Sequence, residues 1–145
     1  MVQIENILDE AIKRDASDIH LICGLNPMLR IIRDLVPVTG SEPLSEEDMT
    51  EIYDYFIRGN VERDRVFAET RKIDMSYEYG ELRLRVNVSL EDDIPLFTLR
   101  LIKNTLPPYE SLGIPEVVKN VINQPQGLVL VTGKTNSGKT TTLNA

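Results

Sequence analysis

Residues 81–102 read ELRLRVNVSLEDDIPLFTLRLI. Two strand-like runs flank a short acidic stretch, and side-chain alternation sets their register. A tight turn centred on Asp92–Asp93 places Leu84 opposite Leu101, Val86 opposite Leu99 and Val88 opposite Phe97. That face is wholly apolar. The other face sets Arg85 against Arg100, Asn87 against Thr98 and Arg83 against Ile102. A slip of one residue would mix apolar and charged side chains on both faces, so this register is favoured. The stretch predicts a hairpin with one face on a core and the other in water.

Like charges directly opposite one another on a sheet cost up to about 1 kcal/mol. Arg85 facing Arg100 therefore reads as a pair that holds an anion, because the planar guanidinium fork suits phosphate oxygens. The alternative is that each arginine pairs with a nearby carboxylate, such as Glu81 or Glu91, on a solvated face.

The flanking sequence supplies the rest of a domain. Ile4, Ile7, Leu8, Ala11 and Ile12 recur at helical spacing, predicting a helix over 3–15. SDIHLICG alternates apolar Ile19, Leu21 and Cys23 with Asp18 and His20, as a half-buried strand does. MLRII and LVPV read as two further short strands. Ser45 followed by EED marks a helix start, with Met49, Ile52, Tyr53 and Phe56 as its buried stripe. A second short helix is expected through VERDRVFAE, and a strand in KIDMSYEY joins the hairpin at Gly80. Helices grouped with antiparallel strands make residues 1–102 an α+β domain. Residues 103–112 are linker-like, and 113–145 open a second domain with a short helix that has Pro115 near its start.

The chain closes on GLVLVTGKTNSGKTTTLNA. Gly133, Gly138, Lys139 and Thr140 fit the phosphate-binding pattern G-x-x-x-x-G-K-[ST]. Glycines let the backbone wrap an anion, and the helix that follows adds free N–H groups and its positive dipole end. Lys139 is expected on the β- and γ-phosphates, and the Thr140 hydroxyl on Mg²⁺. The cradle is read as Gly133, Lys134, Thr135, Asn136, Ser137, Gly138, Lys139, Thr140 and Thr141. LVLVT before it reads as a strand buried on both faces of a parallel sheet, and KTTTLNA as a helix start.

Composition narrows the class. The chain has 145 residues, 41 % hydrophobic and 27 % charged, with a net charge of −7. That charge argues against non-specific nucleic-acid binding. No apolar run approaches the roughly 20 residues that span a bilayer. The single cysteine, Cys23, excludes an intramolecular disulfide and reads as a small buried residue. His20, the only histidine, has no nucleophile or ligand set around it and reads as structural. Nothing has zinc spacing.

Together ASDIHL, RLRVNV, FTLRLI, LPPYESLGIPEVV and QGLVLVTGKTNSGKTTTL resemble the type II/type IV secretion ATPase superfamily, most of all its PilT-like pilus retraction (twitching motility) branch. The resemblance covers nearly the whole chain. It implies a PAS-like α+β N-terminal domain, then the first strand, P-loop and helix start of a RecA-like α/β P-loop NTPase domain. It implies a hexameric motor using ATP and Mg²⁺, with inner-membrane pilus or secretion platform proteins as partners. The implied location is cytoplasmic and peripheral to the inner membrane, without membrane insertion or a nucleic-acid partner. Family members use N-terminal-domain arginines on the phosphates. The matching positions are Arg85 and Arg100, which join Lys139 as the expected catalytic residues.

Departures from the family are specific. The loop has Lys134 and Asn136 where relatives usually carry Pro and Gly, and the hairpin turn is acidic where relatives often carry a basic residue. The family's catalytic glutamate, second acidic motif and histidine motif follow the P-loop at a distance. The chain is therefore expected to be an N-terminal fragment, inactive by itself. A non-catalytic assembly module carrying an incomplete P-loop domain is the alternative. A nucleotide kinase fits poorly, because its loop would not follow a whole α+β domain.

Overall fold

The computed structural model describes residues 3–102, 108–134 and 137–144. The chain divides into two units, Met1–Ile102 and Lys103–Ala145. In the first, β5 (Leu82–Glu91) and β6 (Ile94–Ile102) form the hairpin in the expected register, with Leu84 on Leu101, Val86 on Leu99, Val88 on Phe97 and Arg85 on Arg100. Asp92 and Asp93 both take positive φ, 49° and 65°. A two-residue type I′ connection requires this, and aspartate tolerates it better than most residues.

Four more strands complete the sheet: β1 (Asp18–Leu21), β2 (Met28–Ile31), β3 (Asp34–Pro37) and β4 (Lys72–Tyr79). The order is β3-β2-β1-β6-β5-β4, and every pairing is antiparallel. β1 lies between its sequence neighbour β2 and the distant β6.

The helices cover one face. In α1 (Ile4–Lys13) the buried positions Ile4, Ile7, Leu8 and Ala11 form a single stripe, as a 3.6-residue period requires. Ile12, expected in that stripe, lies at its edge and is exposed. In α2 (Glu46–Tyr53), Ser45 forms a capping box with Asp48, which satisfies two backbone N–H groups. The helix runs on into a π turn, Asp54–Arg58, that buries Phe56 and Ile57. A π turn shifts the hydrogen-bond ladder by one residue, and Arg63 donates to the Phe56 carbonyl at 3.2 Å. In α3 (Val61–Thr70) Asn60 caps the start and Phe67 is the buried contact. These side chains meet Ile19, Leu21, Leu29, Leu84, Val86, Val88, Phe97 and Leu99, all buried, in one core. The opposite face of the sheet carries the polar side chains.

The second unit contains a short 3₁₀ turn (Tyr109–Leu112), α4 (Glu116–Ile122) and α5 (Lys139–Asn144). Of the linker region 103–112, residues 103–107 lie outside the described residues. The run Leu128–Thr132, expected as a strand buried on both faces, is not a strand here. A strand is held by its neighbours, and among the described residues none pairs with it. Leu128 and Leu130 are accordingly exposed. Among the described residues no helix is long and apolar enough to cross a membrane.

The β2–β3 turn contains an outlier. Ile32 has φ 59° and is 88 % exposed. A β-branched residue in left-handed backbone is strained by about 1–3 kcal/mol, and exposure returns nothing for it. Ile32→Asn should raise the unfolding free energy by about 1 kcal/mol. The check is a higher urea midpoint at an unchanged m-value.

Candidate functional site

Two groups of residues were singled out by sequence, and each lies in its own unit. The first is the loop Gly133–Thr140. Gly138 adopts φ +87°, a backbone closed to most side chains. A Cβ on Gly133 would come within 2.6 Å of the Ser137 Oγ, so a larger residue there would force the Ser137 hydroxyl to move. The Ser137 N–H donates to the Lys134 carbonyl at 3.2 Å. The Lys139 Nζ donates to the same oxygen at 2.6 Å. The ammonium thus folds back over the loop and uses one of its three donors there. The Thr142 N–H donates to the Gly138 carbonyl at 2.9 Å, which starts α5. The N–H groups of Lys139, Thr140 and Thr141 belong to the first turn, where an α-helix offers no internal acceptor. Thr135 and Asn136 lie outside the described residues. A lysine ammonium and a threonine hydroxyl at a helix start are groups that can meet phosphate oxygens.

The second group is a row across the polar face of the sheet. Strand register lines up Ser76, Arg85, Arg100, Asp18, Arg30 and Leu35. Arg85 and Arg100 face each other, as expected, and each is held by a carboxylate. The carboxylates are Asp74 and Asp18, in place of the Glu81 or Glu91 that sequence proximity suggests. Asp74 accepts from Arg85 Nε at 3.0 Å and also from its Nη2. These hydrogen bonds hold the Asp74 carboxyl below its ordinary range.

Asp18 is the anchor of the row. Its side chain is 9 % exposed, against 65 % for Arg100. Oδ1 accepts from Arg100 Nε at 2.9 Å. Oδ2 accepts from the Ser17 hydroxyl at 2.8 Å and lies 3.7 Å from Arg30 Nε. The buried carboxylate therefore draws two guanidiniums onto the sheet while leaving the outer one largely in water. Burial pushes the Asp18 carboxyl up, but the hydrogen bonds from Arg100 and Ser17 and the charge of Arg100 outweigh it, and the net shift is downward.

Sequence reasoning missed Asp18 and Arg30 as members of this row. Each could be placed on a strand face from alternation, but only the β1–β6 and β1–β2 pairings bring them beside Arg100. His20, next to the row, has Nδ1 3.5 Å from Thr98 Oγ1, and its buried Nε2 has no partner among the described residues. Burial and the charge of Arg30 push its pKa down, so the ring is neutral at neutral pH. Among the described residues no cluster of three or more His, Cys, Asp or Glu could hold a metal.

Residues 1–145 match the family model described as "Type II/IV secretion system protein", and the chain belongs to that family. It is 38 % identical over 146 residues to the type IV pilus retractation ATPase PilT of Pseudomonas aeruginosa, covering 99 % of this chain and 41 % of that protein. A twitching motility protein of Neisseria gonorrhoeae is 31 % identical over 125 residues, which is 86 % of this chain and 33 % of that one. Among solved structures, the pilus retraction motor PilT with bound ADP superposes with a TM-score of 0.80 at 30 % identity, over 99 % of this chain and 42 % of the other. The Legionella pneumophila ATPase DotB superposes with a TM-score of 0.81 at 27 % identity, over 97 % and 40 %. The chain thus spans less than half the length of each of these proteins.

A carboxylate with a lowered pKa stabilises the fold above its unfolded value and loses that contribution as pH falls through the folded one. Asp18→Asn should therefore destabilise the protein at neutral pH, and the gap to the unsubstituted protein should close below the ordinary carboxyl value of 3.8. Urea unfolding at a series of pH values from neutral down to acid checks both the sign and the window.

Proposed function

We propose that this chain forms the nucleotide-binding part of a motor ATPase that drives type IV pilus retraction or type II/IV secretion. The observation that carries the reading is the Gly133–Thr140 loop in a chain of the secretion family. In the proposal, the loop's N–H groups and Lys139 hold the phosphates of ATP, and the Thr140 hydroxyl holds Mg²⁺. Mg²⁺-ATP, when bound, would supply the β–γ phosphoanhydride bond whose hydrolysis to ADP and phosphate drives the motor. Arg85 and Arg100 act on phosphate oxygens, Arg85 exchanging its exposed Asp74 contact and Arg100 its contact with the buried Asp18 for the more highly charged anion. The first unit is a PAS-like domain, the second the start of a RecA-like domain, and six copies assemble into a ring at the cytoplasmic face of an inner-membrane platform. Support comes from PilT, whose solved structure carries ADP, and from the ATPase names borne by PilT and DotB.

The test begins with ADP binding to this chain, followed by calorimetry. Lys139→Ala removes a charge-assisted contact and should weaken ADP at least about 10-fold. Equal affinity in the two proteins would refute the loop's role and favour an assembly module without nucleotide chemistry. In the motor that contains these residues, Arg100→Ala should lower ATP turnover while leaving ADP affinity within about two-fold, since an arginine acting on developing charge contributes to rate more than to binding. Unchanged turnover would remove Arg100 from the mechanism.

A further inference from the structure

On the helix-covered side of the sheet, away from the arginine row, lies a cavity of about 440 Å³. This is within the size range of small-molecule sites. It opens where α2, the π turn and α3 meet the turn end of the β5–β6 hairpin. Its walls are Phe67, Leu90, Pro95 and the ring of Tyr53. The Tyr53 and Phe67 ring centroids are 5.2 Å apart. Tyr53 is fixed in place, because its hydroxyl donates to Asp64 at 2.6 Å. Burial and that carboxylate keep the phenol protonated.

Two guanidiniums also line the cavity. Arg58 sits 5.8 Å over the Tyr53 ring centroid. Residues five apart point in different directions on an α-helix, and the π turn brings these two onto one face. Arg71 ends α3 in left-handed backbone, φ 58°, and pairs with Asp93. The lining therefore holds two cations and one anion on a chain whose net charge is −7.

Asp93 is the informative residue. It reaches Arg71 from a turn held at positive φ, and its side chain is 84 % exposed. An exposed pair of this kind contributes only about 0–1 kcal/mol and exchanges readily. The Asp93 carboxylate occupies the place that the anionic end of a ligand would take, directly beside an aromatic slot.

We propose that this cavity binds a small anionic aromatic molecule. Its ring packs among Tyr53, Phe67 and Pro95, its anionic group pairs with Arg71, and Asp93 is the internal competitor it displaces. The site is separate from the phosphate loop, so it stands whether or not the motor reading does.

The test is an NMR titration of the chain with indole-3-carboxylate, with uncharged indole as the control. Amide shifts should concentrate on the cavity, including Ala68, Arg71 and Leu90, and the carboxylate should bind several-fold more tightly than indole. Asp93→Asn keeps a residue that accepts left-handed backbone and should tighten the carboxylate about two- to five-fold by removing the competitor. Arg71→Asn should bring the two probes to equal affinity. No saturable shifts at the cavity, equal affinity of both probes for the unsubstituted chain, or an Asp93→Asn variant that binds no better would each overturn the proposal.

Discussion

The hydrogen bonding of β1 between β2 and β6 is the constraint on which the first unit rests. It joins the N-terminal strands to the hairpin as one sheet and so gives the helices a single continuous face to cover. Ile19 and Leu21 enter the core because β1 sits there, and the same alternation turns Asp18 to the other face. Burial then gives that carboxylate its leverage. A carboxylate taken out of water must be paired, and Arg100, its cross-strand neighbour, supplies the partner. One backbone pairing thus places both the core and the arginine row.

Local features of this fold were readable in the sequence because local physics decides them. The hairpin register follows from alternation and a two-residue turn, and the start of α2 from a capping serine with acids behind it. The α1 stripe follows from helical spacing, with only Ile12 displaced to the edge. The sheet order is different in kind. Nothing in SDIHL says that its neighbour will be FTLRLI, since that contact spans 82 residues. The carboxylate partners of the arginines were missed for the same reason. Asp74 and Asp18 are close only across strands, whereas Glu81 and Glu91 are close along the chain. The π turn was also invisible, because its stripe of Met49, Ile52, Tyr53 and Phe56 reads as ordinary helix until the extra residue appears.

The Gly133–Thr140 loop shows the converse. Its pattern of glycines and lysine was legible at once, because it is written in consecutive residues. The strand before it was not secured by its composition. LVLVT has every local preference for extended structure, yet β-propensity describes how well a residue fits a sheet already present. With no neighbour beside it among the described residues, the run keeps its apolar side chains outside. Helix α5 still forms, since a helix closes its own hydrogen bonds.

The reach of the β1–β6 pairing also sets an order of assembly. The residues of β6 leave the ribosome after nearly the whole first unit has been made. At about 5–20 residues per second, β1 waits roughly 4–16 s for its second neighbour. During that interval Ile19 and Leu21 can be sheltered only by what has already emerged, α1, the short β2–β3 hairpin and then α2, the π turn and α3, whereas β4, β5 and β6 emerge in immediate succession and zip locally. The seam between β1 and β6 is therefore the last to close during synthesis. It is also where a nascent chain is most exposed to the wrong partner.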